Sequence, residues 1–420
     1  MLDQRFSAEN LHKSLNRKIL IRHQLREDIN ASKSMRYLRY TTLASSQISK
    51  DEFDFPGIHS YKHNRTKTTT YSVEARTGFY TDLALRRLNR TLRGVFKISF
   101  SDRHAISKQI SSIFQSDFTG TIIKLDIKSF YENVNLNTLQ DKLLDDRILS
   151  NETKVILRKL FRKFKEYKGL PRGLSISSTL SEYVLRDFDK KIRMIDGIYF
   201  YARYVDDIII FCHLDRDVIK AELECILEAK LTKGLKFNKK EQVIYASIDH
   251  KDHLPYYSSI KSVTSKRPVS IDFLGYRYIL NNKKKQSNKK QSALKIQISE
   301  KKIDRVKRKV QIAIIDFLRA PNIQLLKDRL KFLSGTYPLH QNYKTAAHHN
   351  NQLKGGLRFT YPLLNDLTPL RGLDRYLIQR VSTSRIPIST NEFSFLKRFT
   401  EHENFTEERI KEIIECWKHA

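Results

Sequence analysis

The chain has 420 residues, with 78 Lys and Arg against 46 Asp and Glu, a net charge of +32 and a pI near 9.9. Hydrophobic residues at 40% beside 30% charged residues describe a folded chain with a sizeable core, and the length allows about two to four structural units. The polar opening MLDQRFSAENLHKSLNRK, the lack of any membrane-length apolar run and three scattered cysteines (Cys212, Cys225, Cys416) argue against a secretory signal, a membrane span, a disulfide framework or a CxxC zinc site, so a reducing cytoplasm is the expected setting.

In chain order, Asn10 to Glu27 predicts a basic helix with Leu11, Leu15, Ile19 and Leu20 on one face. Residues 61–72 (YKHNRTKTTTYS) read as a polar loop, 82–92 as a helix, and Gly94–Phe100 as a strand. Thr121–Leu125 is a short β-rich run ending at Asp126. Gly197–Tyr201 and Ile208–Cys212 flank the tetrad Tyr204-Val205-Asp206-Asp207, which predicts a β-hairpin whose turn carries carboxylates. Helical stretches lie between these strands, so the class is α+β. Ile271–Ile279 reads as one strand, Asn281–Gln291 as a solvated loop and Ala293–Ser299 as a returning strand. From Lys301 the period becomes helical, with Ile303, Val306, Val310, Ile314 and Phe317 on one face and Pro321 as the stop. A second helix with Ile323, Leu326, Leu330 and Leu333 inward ends before Gly335, and the last 75 residues read as largely helical, basic and aromatic.

The surplus of positive charge predicts attraction to a polyanion, most often nucleic acid, with strong salt dependence. The carboxylates predict more. If the strand ending at Asp126 lies beside the hairpin carrying Asp206 and Asp207, the acids converge. Converging acids raise one another's pKa, and divalent cations relieve that repulsion. Two Mg²⁺ ions in such a site would activate a hydroxyl and stabilise a leaving phosphate.

Five motifs in order carry a family resemblance: Ile123–Tyr131 (IKLDIKSFY), Gly169–Ser177 (GLPRGLSIS), Ala202–Asp207 (ARYVDD), Gly234–Lys240 (GLKFNKK) and Phe273–Tyr276 (FLGY). Together they resemble the motifs of reverse transcriptases, over about residues 75–335. The resemblance implies a right-hand polymerase fold: an N-terminal basic helical extension over 1–60, fingers over 61–120, palm over 121–280, primer-grip hairpin and helical thumb over 281–345, and a helical C-terminal region over 346–420. It implies that Asp126 and Asp206 hold both ions, with Asp207 assisting and the Ile127 backbone carbonyl as a further ligand; Mn²⁺ is the alternative ion. Tyr131 is implied to exclude a 2′-hydroxyl, and Arg103 and Lys97 to hold the triphosphate. Gly173 is expected to let the backbone pass close to the nascent pair, and Ser175 and Ser177 to cap the following helix. Phe273, Leu274, Gly275 and Tyr276 are the implied primer grip.

Two positions depart from the family pattern. Arg172 stands where the family usually has Gln, bringing a permanent charge and five donors to the nucleotide pocket. Glu241 stands where the fourth motif usually has Lys, which leaves Lys239 or Lys240 to protonate pyrophosphate. His348 and His349 lack a third ligand nearby in the sequence. The compact palm, the GLPRGLSIS motif and the Gly355–Pro362 segment (GGLRFTYP) most resemble the bacterial defence-associated and abortive-infection reverse transcriptases, and the chain is similar in size to the smaller polymerase of the type 3 system. That resemblance implies dNTPs as substrates, a non-coding RNA as template, a DNA product, a second reverse transcriptase subunit or further copies of the chain as partners, and a role in antiphage defence. A template-dependent RNA polymerase and a non-catalytic RNA-binding relative are the alternatives. Tyr131 argues against the first and the three carboxylates against the second.

Overall fold

Runs of β-branched residues become buried strands and the 3.6-residue periods become helices across a computed structural model that describes residues 3–25, 33–62, 68–116, 118–167, 169–239, 241–248, 255–259, 268–280, 294–338 and 354–418. From the N-terminus come α1 (Ala8–His12), α2 (Arg17–Arg22), α3 (Lys33–Ser49), β1 (Ile58–Lys62), β2 (Thr69–Val73), α4 (Phe79–Val95) and α5 (Arg103–Gln115). Next are β3 (Gly120–Asp126), α6 (Phe130–Asn133), α7 (Leu136–Asp145), α8 (Asn151–Phe164), α9 (Ser175–Ile192), β4 (Ile198–Tyr204), β5 (Asp207–Cys212) and α10 (Arg216–Leu227). Then follow β6 (Gln242–Ile248), β7 (Pro255–Ser259), β8 (Val269–Phe273), β9 (Tyr276–Leu280), β10 (Leu294–Ile298), α11 (Glu300–Arg319) and α12 (Ile323–Ser334). The chain continues through β11 (Thr336–Pro338), β12 (Lys354–Gly356), α13 (Leu357–Thr360), α14 (Thr368–Thr383) and α15 (Glu407–Glu415). No helix among the described residues is long and apolar enough to cross a membrane.

The chain divides into two compact units, Met1–Asp102 with Thr121–Glu241 and Arg103–Gly120 with Gln242–Ala420. In the first, β3 and β4 flank β5 in antiparallel pairing. Ile208, Ile209, Ile210 and Phe211 are all fully buried, as expected of a central strand covered on both faces. Helix α9 is tied to β4 by polar contacts, with Tyr201 donating to Asp189 at 2.6 Å and Arg203 spanning Asp189 and Glu182. Helix α4 packs on α9 and α1. The second unit holds the antiparallel sheet β8-β9-β10, with β9 central, and the helices α11, α12, α14 and α15. Buried Arg329 bridges within this helical part, donating to Asp316 at 2.6 Å and to the Ile413 carbonyl.

Several expectations are corrected. The helix expected over 10–27 is two short helices: Asn16 breaks it by accepting the Ile19 N–H as an N-cap, although Leu11, Leu15, Ile19 and Leu20 are all buried as expected. The polar loop expected over 61–72 contains an antiparallel pair, Ile58–Lys62 with Thr69–Val73. The strand expected at Gly94–Phe100 does not form: α4 runs on to Val95, and Lys97 adopts a left-handed φ of +51°. The single strand expected over 271–279 is two strands, turned by Leu274 (φ +49°) and Gly275 (φ +82°), a pair of positive φ values that suits a two-residue hairpin loop. Residues 281–291, Lys240, His348 and His349 lie outside the described residues.

Candidate active site

Strand register builds the acidic centre. Asp126, the last residue of β3, is the direct antiparallel partner of Asp207, the first of β5, so both side chains leave the same face of the sheet. Asp206 sits one residue earlier in the two-residue turn after Tyr204. Val205 completes that turn at φ +59°, a strained conformation for a β-branched residue. Main-chain bonds hold the turn in place. The Ile127 N–H donates to the Asp206 carbonyl at 3.1 Å, the Asn238 N–H to the Asp126 carbonyl at 2.7 Å and the Lys128 N–H to the Lys236 carbonyl at 2.8 Å. The Asn238 side-chain amide also donates to the Asp126 carboxylate at 3.3 Å.

These acids repel one another. Burial first, then the charges of Asp126 and Asp207, push the Asp206 carboxyl above its ordinary pKa, while its own backbone hydrogen bond and the nearby Arg172 pull it down. The donor set is all oxygen. The Ile127 carbonyl leaves its strand on the same side as the Ile127 N–H, the side of the turn, because both groups of an extended residue point one way. Such donors suit a hard divalent cation. Among the described residues no three His, Cys, Asp or Glu side chains are already gathered into a chelating cluster.

Beside the acids, α6 and the second motif form a paired floor. Ser129 takes a left-handed φ of +45° and turns the chain from β3 into α6. Arg172 makes a two-pronged ion pair with Glu132 (2.6 and 3.0 Å), and its guanidinium lies 5.0 Å from the Tyr131 ring centroid. The Leu170 N–H donates to the Tyr131 carbonyl at 2.8 Å. Two glycines allow this approach. At Gly169 (φ +68°) a Cβ would run into the Tyr131 carbonyl, and at Gly173 (φ +98°) into the Tyr71 carbonyl. Strand β2 is joined to the loop by the Tyr71 N–H donating to the Arg172 carbonyl at 2.6 Å, and Tyr71 lies 4.3 Å from Tyr167, ring to ring.

Residues 76–278 match the family model described as reverse transcriptase (RNA-dependent DNA polymerase). That matched stretch, 203 of the chain's 420 residues, resembles a reverse transcriptase domain. Its fold is the α+β right-hand polymerase fold anticipated from the motifs. Among solved structures the chain is similar to apo telomerase from Candida tropicalis truncated from its C-terminal domain, at 13% identity and a TM-score of 0.32, covering 64% of this chain and 50% of that one. It is also similar to telomerase from Candida albicans in complex with a fragment of telomeric RNA, at 14% identity and a TM-score of 0.36, covering 92% and 55% respectively. The chain spans about half the length of these telomerase chains. No curated protein matches it.

The expected residues fall in both units. Asp126, Ile127, Tyr131, Arg172, Gly173, Asp206 and Asp207 come together in the first unit. Lys97 is exposed in the segment after α4. Arg103 begins α5, in the second unit. It donates to the carbonyls of Leu274 (2.9 Å) and Thr360 (2.8 Å), and its guanidinium lies over the rings of Tyr361 and Tyr276, so it pins the Phe273–Tyr276 turn. Ser175 and Ser177 do not cap α9. Leu174 occupies the cap position without a side-chain bond, and the Ser177 hydroxyl donates to the Pro171 carbonyl at 2.8 Å, closing the second motif on itself. Glu241 is engaged by Arg216 and Lys220. Three residues at the site escaped the sequence reading: Glu132, Arg203 and Tyr71. A signal existed for the first, because a charged Arg172 entering a half-buried loop calls for an acid nearby.

Proposed function

We propose that the chain is an RNA-directed DNA polymerase that adds dNTPs to a primer end by two-metal phosphoryl transfer. The observation that carries this reading is the register placing Asp126 opposite Asp207, with the Asp206 carbonyl held by the Ile127 N–H in the adjoining turn. Asp126, Asp206, Asp207 and the Ile127 carbonyl would hold Mg²⁺ or Mn²⁺, which when bound activates the primer 3′-hydroxyl and neutralises charge at the α-phosphate. The chain's own groups then orient the reaction. The Tyr131 ring would exclude a 2′-hydroxyl, and the Glu132–Arg172 pair holds Arg172 against that ring. The turn at Gly169–Gly173 would lie beside the nascent pair, with its glycines letting it pack against the Tyr131 and Tyr71 carbonyls. The primer hydroxyl attacks in line and pyrophosphate leaves.

The test uses purified full-length chain, with and without co-purified RNA, and labelled dNTPs or rNTPs in Mg²⁺ or Mn²⁺. We expect dNTP incorporation, lost by about 10³-fold or more in Asp206→Asn, with RNA binding retained. Tyr131→Ala should raise rNTP use by about tenfold or more. Incorporation of rNTPs alone by the wild type would make the chain an RNA polymerase. RNA binding without incorporation would make it a non-catalytic relative.

The finer placement, a defence enzyme copying a dedicated non-coding RNA with a second polymerase subunit or further copies of itself, is supported by the likeness of the GLPRGLSIS and GGLRFTYP segments. Phage plating on cells expressing wild type or Asp206→Asn tests it, and equal plating efficiency would sink it.

A further inference from the structure

A cavity of about 610 Å³ opens in the first unit, lined among others by Lys13, Arg86, Asn89, Arg90, Arg93 and Ser175. Arg86, Arg90 and Arg93 recur at i, i+4 and i+7 on α4, so they share one face and span about 10 Å along the axis. Lys13 closes the rim from the end of α1, where its carbonyl accepts a bond from Arg90 at 3.2 Å. Ser175 and Asn89 add polar groups, and Asn89 is fixed by the Thr179 hydroxyl of α9. Two of the four cations have acidic partners: Lys13 with exposed Glu9, and Arg86 with Asp82, which Arg22 and His23 also approach. Arg90 and Arg93 are exposed and have no carboxylate partner among the described residues. Arg93 instead lies over the Phe100 ring at 4.8 Å.

We propose that this cavity binds the 5′-terminal triphosphate of an RNA. The volume is that of a site for a nucleotide-sized group, not for a duplex. Arg90 and Arg93, the two without a carboxylate partner among the described residues, leave the space positively charged unless an anion enters. A triphosphate places its charges on adjacent phosphates, whereas an internal strand offers one per nucleotide. Arginine forks suit phosphate oxygens and Ser175 and Asn89 can supply further polar contacts. Lys13 lies outside the residues matched by the family model, so the pocket combines the matched stretch with this chain's own N-terminal segment.

Binding is measured without turnover, so this inference stands apart from the polymerase reading. Full-length protein is titrated with one RNA sequence carrying either a 5′-triphosphate or a 5′-hydroxyl, with inorganic triphosphate as competitor. We expect the triphosphorylated RNA to bind about tenfold or more tightly, and inorganic triphosphate to displace it and to raise the wild-type Tm. Arg90→Gln with Arg93→Gln should erase both the preference and the Tm rise with inorganic triphosphate, while affinity for the 5′-hydroxyl RNA falls no further than in a control pair. The same charge loss at exposed Arg147 and Arg158, which do not line the cavity, should keep the preference, as should Asp206→Asn. Equal affinity of the wild type for both RNAs overturns the proposal, as does equal loss in the control pair or a wild-type Tm indifferent to inorganic triphosphate.

Discussion

Asp206 is held at a cost to the folded chain. Burial and the charges of Asp126 and Asp207 raise its pKa, against the opposing pull of its own N–H and of Arg172. A carboxyl whose folded pKa lies above its unfolded value adds stability that is fully present below the unfolded pKa. That stability is lost as pH rises through the folded pKa. The metal-free protein therefore carries more of the repulsion as pH rises. Asp206→Asn is expected to raise the Tm at pH 7 without divalent ions, with the advantage shrinking as pH falls toward the ordinary carboxylate range near about 4. Thermal denaturation across a pH series checks this, and a pH-independent difference would remove charge as the cause. Mg²⁺ should then stabilise the wild type more than the variant. Arg172 belongs to the same scale. Its departure from the family's Gln was visible in the sequence, but its meaning was not, because the explanation is the neighbouring Glu132 contributed by α6.

Among the elements, the α9–β4 joint fixes the acidic turn from behind. Arg203 is almost wholly buried and donates to Asp189 (2.8 and 2.7 Å), to Glu182 (3.1 and 2.6 Å) and to the carbonyl of strained Val205 (2.8 Å). Arg203→Met would strand two largely buried acids and release the turn, at about 3–5 kcal/mol in chemical denaturation. Arg203→Lys should recover little, since an ammonium cannot fork between two carboxylates and a carbonyl. A loss under about 1 kcal/mol would mean that water replaces the guanidinium. The hairpin carrying the acids was legible because its strands are β-rich and its polar tetrad interrupts them. The β8–β9 turn was hidden because Phe273, Leu274 and Tyr276 are all apolar and buried, leaving Gly275 as the one hint of a break. The β1–β2 pair was hidden for the opposite reason: its residues are polar and largely exposed, so hydrophobic alternation carries no signal there.

For the whole molecule the governing quantity is its charge of +32. Affinity for single-stranded RNA should fall steeply with salt, by about 10³-fold between 50 and 200 mM if some 6–10 phosphates are neutralised. Filter binding across a salt series measures the slope, and Asp206→Asn should share it. A flat profile would show that the positive surface does not meet the nucleic acid. Charge was readable from composition, but its placement was not: the basic face of α4 becomes a pocket only where α1 and the start of α9 close around it. One more consequence comes from the peptide groups that stitch Ile127 to Asp206, Asn238 to Asp126 and Lys128 to Lys236. These joints are blind to side-chain identity, so mutational drift at Lys236 or Lys128, and a swap as large as Glu241 for lysine, leaves the acidic centre assembled. The loss of an amide hydrogen, as with proline at position 127, 128 or 238, would unpick these joints.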